Sequence, residues 1–183
     1  MKNHSATGGL LTFRKARMRD LPLLERWEEA PHMIEAMPDF EWDYAEDLAH
    51  DPYWRQQLIA EADEQPIGFL QIIDAHREET HYWGDVPEGT HAIDIWIGEQ
   101  DFIGKGYGWK MMNWALEQCF ANSTCQQVLI DPFASNRHAI SFYKKLGFRF
   151  VEMRIFDEED EPCAVYQLSR SDWLARPNVS IPA

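Results

Sequence analysis

Basic residues are scarce in this chain. Its 183 residues carry 17 Lys and Arg against 31 Asp and Glu, a formal net charge of −14. Nucleic-acid binding depends on cations that neutralise phosphates, so the balance argues against that partner. It favours a cationic one, such as a polyamine-like small molecule. Cysteine is scarce as well. Cys119, Cys125 and Cys163 are odd in number and in no metal-ligand spacing, so they read as reduced thiols in a cytoplasmic protein. Long apolar runs are missing, so no segment spans a bilayer. Met1–Gly9 is polar and small, without the apolar centre of a signal peptide. The expectation is a disordered lead-in over 1–9, one domain over 10–175 and a tail over 176–183. His76, His81 and His91 are not spaced as H-E-x-x-H and read as surface residues, so no metal is expected.

What is present is a glycine-rich run, Ile103-Gly104-Lys105-Gly106-Tyr107-Gly108. It lies between an alternating apolar stretch and a helix-compatible one. Strand, glycine turn and helix present free backbone N–H groups to a phosphate. The run is not a P-loop, because Lys105 falls between glycines and no Ser or Thr follows. It is not a dinucleotide fingerprint, because Lys110 and Met111 stand where a third glycine is needed.

Downstream, Asn136, Ala139, Tyr143, Lys145, Gly147 and Phe148 form the pattern N-x-x-A-x-x-x-Y-x-K-x-G-F. With the glycine turn, this resembles the GCN5-related N-acetyltransferases, or GNAT family. The resemblance implies a single-domain α/β fold, with a mixed, mostly antiparallel central sheet and helices on both faces. It implies acetyl-CoA as co-substrate. The cofactor would contact Trp96 and Ile97 at a strand end, Ile103, Gly104, Lys105, Gly106, Tyr107 and Gly108 in the turn, and Asn136 and Tyr143 beyond. Ile103 replaces the Gln or Arg usual at its position, which removes one polar side chain and leaves the backbone contacts. Tyr143 would donate a proton or hydrogen bond to the departing thiolate.

Patterning predicts strands over 11–16, 59–62, 67–73, 92–98 and 127–130, and a last hairpin from 149–156 and 163–168. Helices are expected from Asp20-Leu21-Pro22 onward, over 31–37, 52–58 and 109–120, and over 136–146 with Asn136 as N-cap and Gly147 past the end. Gln65-Pro66 reads as a turn, 40–51 is unassigned, and 74–90 is a long polar loop.

An acid inside an apolar strand needs an explanation, because an unpaired buried charge is costly. Asp94 stands in Ile93-Asp94-Ile95-Trp96 and shares a strand face with Trp96. The chain looks most like the aminoglycoside 6′-N-acetyltransferase branch, where such an Asp acts near the acceptor amine. Asp94 would then anchor the amine and take its proton, provided burial raises its pKa above the usual ~3.9. By the same resemblance Asp131, Tyr82, Trp83 and Asp160 contribute to the acceptor site. Trp42, with Glu35, Asp39, Glu41 and Asp43, forms another wall. The expected reaction is direct attack of a cationic small molecule's primary amine, with the enzyme a monomer or homodimer. Two other readings remain open: an N-acyltransferase acting on a hydroxylamine in siderophore biosynthesis, and a silent acyl-CoA-binding module.

Overall fold

The computed structural model of the chain describes residues 9–37, 42–156 and 161–176. Seven strands form one sheet: β1 (Leu11–Lys15), β2 (Arg55–Ala62), β3 (Gln65–Asp74), β4 (Thr90–Ile97), β5 (Gln127–Ile130), β6 (Arg149–Arg154) and β7 (Cys163–Ser169). Their order is β1-β2-β3-β4-β5-β7-β6, and every neighbouring pair is antiparallel except β4 with β5. Alternation sets the two faces. Ile59, Phe69 and Trp96 are cross-strand partners on one face. They pack beneath α1 (Leu21–Glu28), α2 (Pro31–Ala36) and α3 (Tyr44–Ala49), through Leu24, Trp27, Met33 and Tyr44. Leu70 and Ile93 face the other way, onto α4 (Tyr107–Ala121) and α5 (Arg137–Lys145). Met111, Met112 and Leu116 of α4 have no exposed surface, and each contributes about 1.5–3 kcal/mol by its burial. Helices on both faces of a mostly antiparallel sheet are the expected architecture.

Several boundaries differ from expectation. The segment 52–58 is not a helix: β2 starts at Arg55, which pairs with Ile73, and runs eight residues to Ala62. Its first residues are polar, so alternation there is masked. The hairpin turn sits at Asp63-Glu64, not Gln65-Pro66. Both turn residues have positive φ (49° and 67°), and Gln65 already pairs with Ala62. The unassigned stretch holds α3, capped by Asp43, whose carboxylate accepts the Glu46 N–H at 2.9 Å. Helix α4 starts at Tyr107, two residues early, because its first turn is the glycine run itself. A short α6 (Arg170–Ala175) precedes the tail and had no sequence signal beyond Ser169 as cap. His91 is not a surface residue: it lies half-buried in β4, and burial lowers its pKa. All three cysteines are buried. Among the described residues, no helix is long and apolar enough to cross a membrane.

The feature that positions the site is the parting of β4 and β5. They pair only at Thr90, His91 and Ala92, while β4 continues to Ile97. Beyond β5 the chain follows β7 instead. Ala164 N–H donates to the Pro132 carbonyl at 2.9 Å, Ala134 N–H donates to the Pro162 carbonyl at 2.9 Å, and Phe133 bridges to Cys163. The result is a wedge at the centre of the sheet, with an unpaired β4 edge on one side.

Candidate active site

The glycine run lies at the end of the wedge, next to the β4 terminus. Gly104 (φ 72°) and Gly106 (φ 81°) both adopt the left-handed region, which other residues enter at a cost. Gly106 is the N-cap of α4, so the first N–H groups of a fifteen-residue helix point outward from the turn. Helix dipole and free donors together make an anion site there. Ile103 and Lys105 are exposed beside it. The Tyr107 side chain is instead buried against Phe102, Ala60 and Met111, leaving only its backbone for a ligand. At Gly108 a Cβ would stand in ordinary van der Waals contact with Ile97 and Phe142, at 3.8 and 3.9 Å, so the packing there does not require glycine. The Ile97 carbonyl is taken up by His32 Nε2 at 3.0 Å.

Opening from the same wedge is a cavity of about 520 Å³. Asp94 lies on its floor, with a window on the cavity. Gln71, its cross-strand partner on β3, donates from Nε2 to Asp94 Oδ2 at 2.6 Å. Burial, then repulsion from Asp131, pushes the Asp94 carboxyl up to about 7, against the Gln71 hydrogen bond. Asp131 stands just past β5 and accepts from Trp83 Nε1 at 3.3 Å. Its pKa is also raised by burial, and hydrogen bonds from Trp83 and Tyr82 oppose the shift. The Tyr143 ring on α5 is buried among Phe142, Phe148 and the cavity wall. Burial and the two carboxylates raise its pKa, so the phenol keeps its proton. The expected residues Asp94, Asp131, Tyr143, Tyr82, Trp83, Trp96, Asn136 and Trp42 therefore all line one space.

Some assignments change. Asn136 Oδ1 caps α5 by accepting the Ala139 N–H at 2.9 Å, and Nδ2 donates to the Ala36 carbonyl at 3.1 Å. It ties α5 to the end of α2 across the cavity, so its amide is already engaged. Glu35 is exposed and does not line the cavity, whereas Asp43 does. Asp39, Glu41 and Asp160 lie outside the described residues. Glu161, beside Asp160, accepts the Ser135 N–H at 3.0 Å and anchors the turn before α5.

Sequence reasoning missed several lining residues, among them Glu46, Asp47, Arg55, Gln71 and Glu78. Glu78 is buried and accepts the N–H groups of Thr80 and Tyr82 at 2.7 and 2.9 Å. It thereby folds the loop between β3 and β4 and aims Tyr82 and Trp83 at the cavity. Asp47 pairs with Arg55 at 2.6 Å and accepts from Trp42 Nε1. Gln71 had a readable signal, a polar side chain within an apolar strand; the others come from segments that only folding brings together. Among the described residues, six carboxylates line the cavity (Asp43, Glu46, Asp47, Glu78, Asp94 and Asp131) against one cation, Arg55. Among the described residues, no group of three or more His, Cys, Asp or Glu could hold a metal ion.

Residues 16–156 match the model of the acetyltransferase (GNAT) domain. The aminoglycoside N(6′)-acetyltransferase type 1 of Klebsiella pneumoniae is 28% identical over 152 residues, 75% of this chain and 73% of that protein. The spermine/spermidine N(1)-acetyltransferase of Bacillus subtilis is 29% identical over 69 residues, 38% of this chain and 45% of that protein. A crystal structure of aminoglycoside acetyltransferase AAC(6′)-Ib with coenzyme A and kanamycin superposes with a TM-score of 0.76 at 24% identity, covering 90% of this chain and 98% of that one. With the glycine turn, the parted strands and the family match in agreement, the chain belongs to the GNAT acetyltransferases and is an acetyl-CoA-dependent N-acetyltransferase.

Proposed function

We propose that the acceptor is the 6′-amine of an aminoglycoside, acetylated by direct attack within a ternary complex. The observation that carries this reading is the cavity's charge, among the described residues six carboxylates facing one guanidinium, with aromatic walls from Trp42, Tyr82 and Trp83. Ammonium groups pair with the carboxylates and sugar rings stack on the aromatics. Acetyl-CoA supplies the activated acetyl group. The turn at 104–108 holds its pyrophosphate through backbone N–H groups. The unpaired β4 edge past Ala92 can receive the amides of its pantetheine arm as an added strand. Asp94 takes one proton from the acceptor ammonium and becomes a neutral acid, leaving a free amine to attack the thioester carbon. As the tetrahedral intermediate collapses, Tyr143 gives its proton to the leaving thiolate and recovers one, directly or through water, from the attacking nitrogen, which sheds its second proton to become the amide. Asp131 orients a second ammonium.

The likeness to aminoglycoside N(6′)-acetyltransferases supports this acceptor. A linear polyamine is the second reading, favoured by the shorter match to the Bacillus enzyme. Thiol release from acetyl-CoA, measured with kanamycin, with a 6′-hydroxyl aminoglycoside and with spermine, separates the two. Release with kanamycin alone establishes the acceptor and its position. Release with spermine alone overturns the aminoglycoside reading.

A further inference from the structure

The Asp94 carboxylate lies among groups from every neighbouring element. Asp131 follows β5, Tyr143 projects from α5, Tyr82 comes from the β3–β4 loop, Asp47 from α3 and Arg55 from β2. Among the described residues, the short hydrogen bond to it comes from Gln71, 2.6 Å from Nε2 to Oδ2. Gln71 is 2% exposed, so its amide sits away from water. The other end of that amide, Oε1, is buried with no hydrogen-bond partner. A buried acceptor left unpaired costs free energy, and the strand has other residue types available to fill that space. An amide here has one property that an apolar side chain lacks: it can donate from one end and accept at the other.

We infer that Gln71 is a positioning residue that follows the proton on Asp94, donating through Nε2 to the carboxylate and, after rotation about its last bond, accepting through Oε1 from the carboxylic acid. The proton moves from the acceptor ammonium to Asp94 Oδ2, and the ammonium becomes the amine. The new O–H first points back at the amine; once the amine attacks, the O–H turns toward the β3 partner, where only an acceptor satisfies it. Both protonation states of Asp94 are hydrogen-bonded in turn, so the carboxyl stays in one orientation through the transfer. The idle oxygen in the resting state is the half of the device that the carboxylate does not use.

This inference rests on Asp94 being the base, so its test carries both arms. The pH dependence of kcat/KM is measured with kanamycin, or with spermine if that is the amine acetylated, for wild type, Gln71→Met and Asp94→Asn. The Met variant keeps the length and removes the donor to the carboxylate. Its acid limb moves up by about one pH unit, a tenfold loss below neutrality that recovers at high pH. The carboxylic-acid C=O stretch of Asp94, identified by its absence in Asp94→Asn, shifts its titration by the same amount in the infrared. An unmoved limb and an unmoved band in Gln71→Met, with Asp94→Asn inactive, overturn the role of Gln71 and leave the base in place. Full activity in Asp94→Asn overturns the base reading itself.

Discussion

The two halves of the active site are made of different material. In the proposed function the phosphate-holding part of the cofactor half is one contiguous turn, Ile103 to Gly108, which offers backbone N–H groups and two left-handed glycines. The acceptor half draws on α2, α3, β2, β3, β4, the loop after β3 and the chain past β5, and works through side chains. On the proposed reading, the turn holds a constant phosphate and needs no particular side chain, while the acceptor half selects by charge and shape and can be altered residue by residue without disturbing the turn. Variants should therefore split cleanly between the two halves.

The largest effect is expected from Asp94→Asn, which lowers kcat about 10³-fold while the KM for acetyl-CoA moves less than threefold. A comparable loss of acetyl-CoA affinity in steady-state kinetics would break the division. Tyr143→Phe comes next, with about 10²-fold lower kcat and an acceptor KM near wild type. Gly106→Ala acts on the other half. Its φ of 81° strains any side chain, so the KM for acetyl-CoA rises about tenfold and the acceptor KM stays put.

The pH response sharpens the same contrast. With its pKa near 7, Asp94 must be ionised to accept a proton, so kcat/KM climbs as pH rises to about 7 and levels above it. Stability runs in the opposite direction. Between about 4 and about 7 the folded protein keeps a proton on Asp94 that the unfolded chain has lost, so this group's contribution falls as pH rises through that window. Asp94→Asn should therefore raise the melting temperature at pH 8 by a few degrees even as it cuts turnover. A melting temperature lowered at pH 8 would show that the carboxylate is structurally required. Gly106→Ala should destabilise at every pH alike.

How much was legible follows from where each signal lives. Asn136, Tyr143 and Gly147 lie on one helix and its caps, so local spacing announced them. Asp94 was legible because a charge interrupts an apolar strand, and Gln71 offered the same signal in a neighbouring strand. The segment 52–58 was misread because Arg55, Gln56 and Gln57 hide the alternation of β2, and only pairing with β3 makes it a strand. Glu78 gave no sign at all. It is one acid in an acidic loop until its two backbone bonds turn Tyr82 and Trp83 inward.

By itself, then, the sequence determined the backbone-borne half: the turn, the helix it starts and the helix capped by Asn136. These depend on glycine conformation, capping and short-range periodicity, all local in the chain. Only the tertiary structure decided the acceptor half. Parting β4 from β5 requires the chain after β5 to bond to β7, and that brings Asp131 and Tyr143 to the side of Asp94. Burial, then repulsion from Asp131, raises the pKa of Asp94 toward neutrality, a property no single segment possesses.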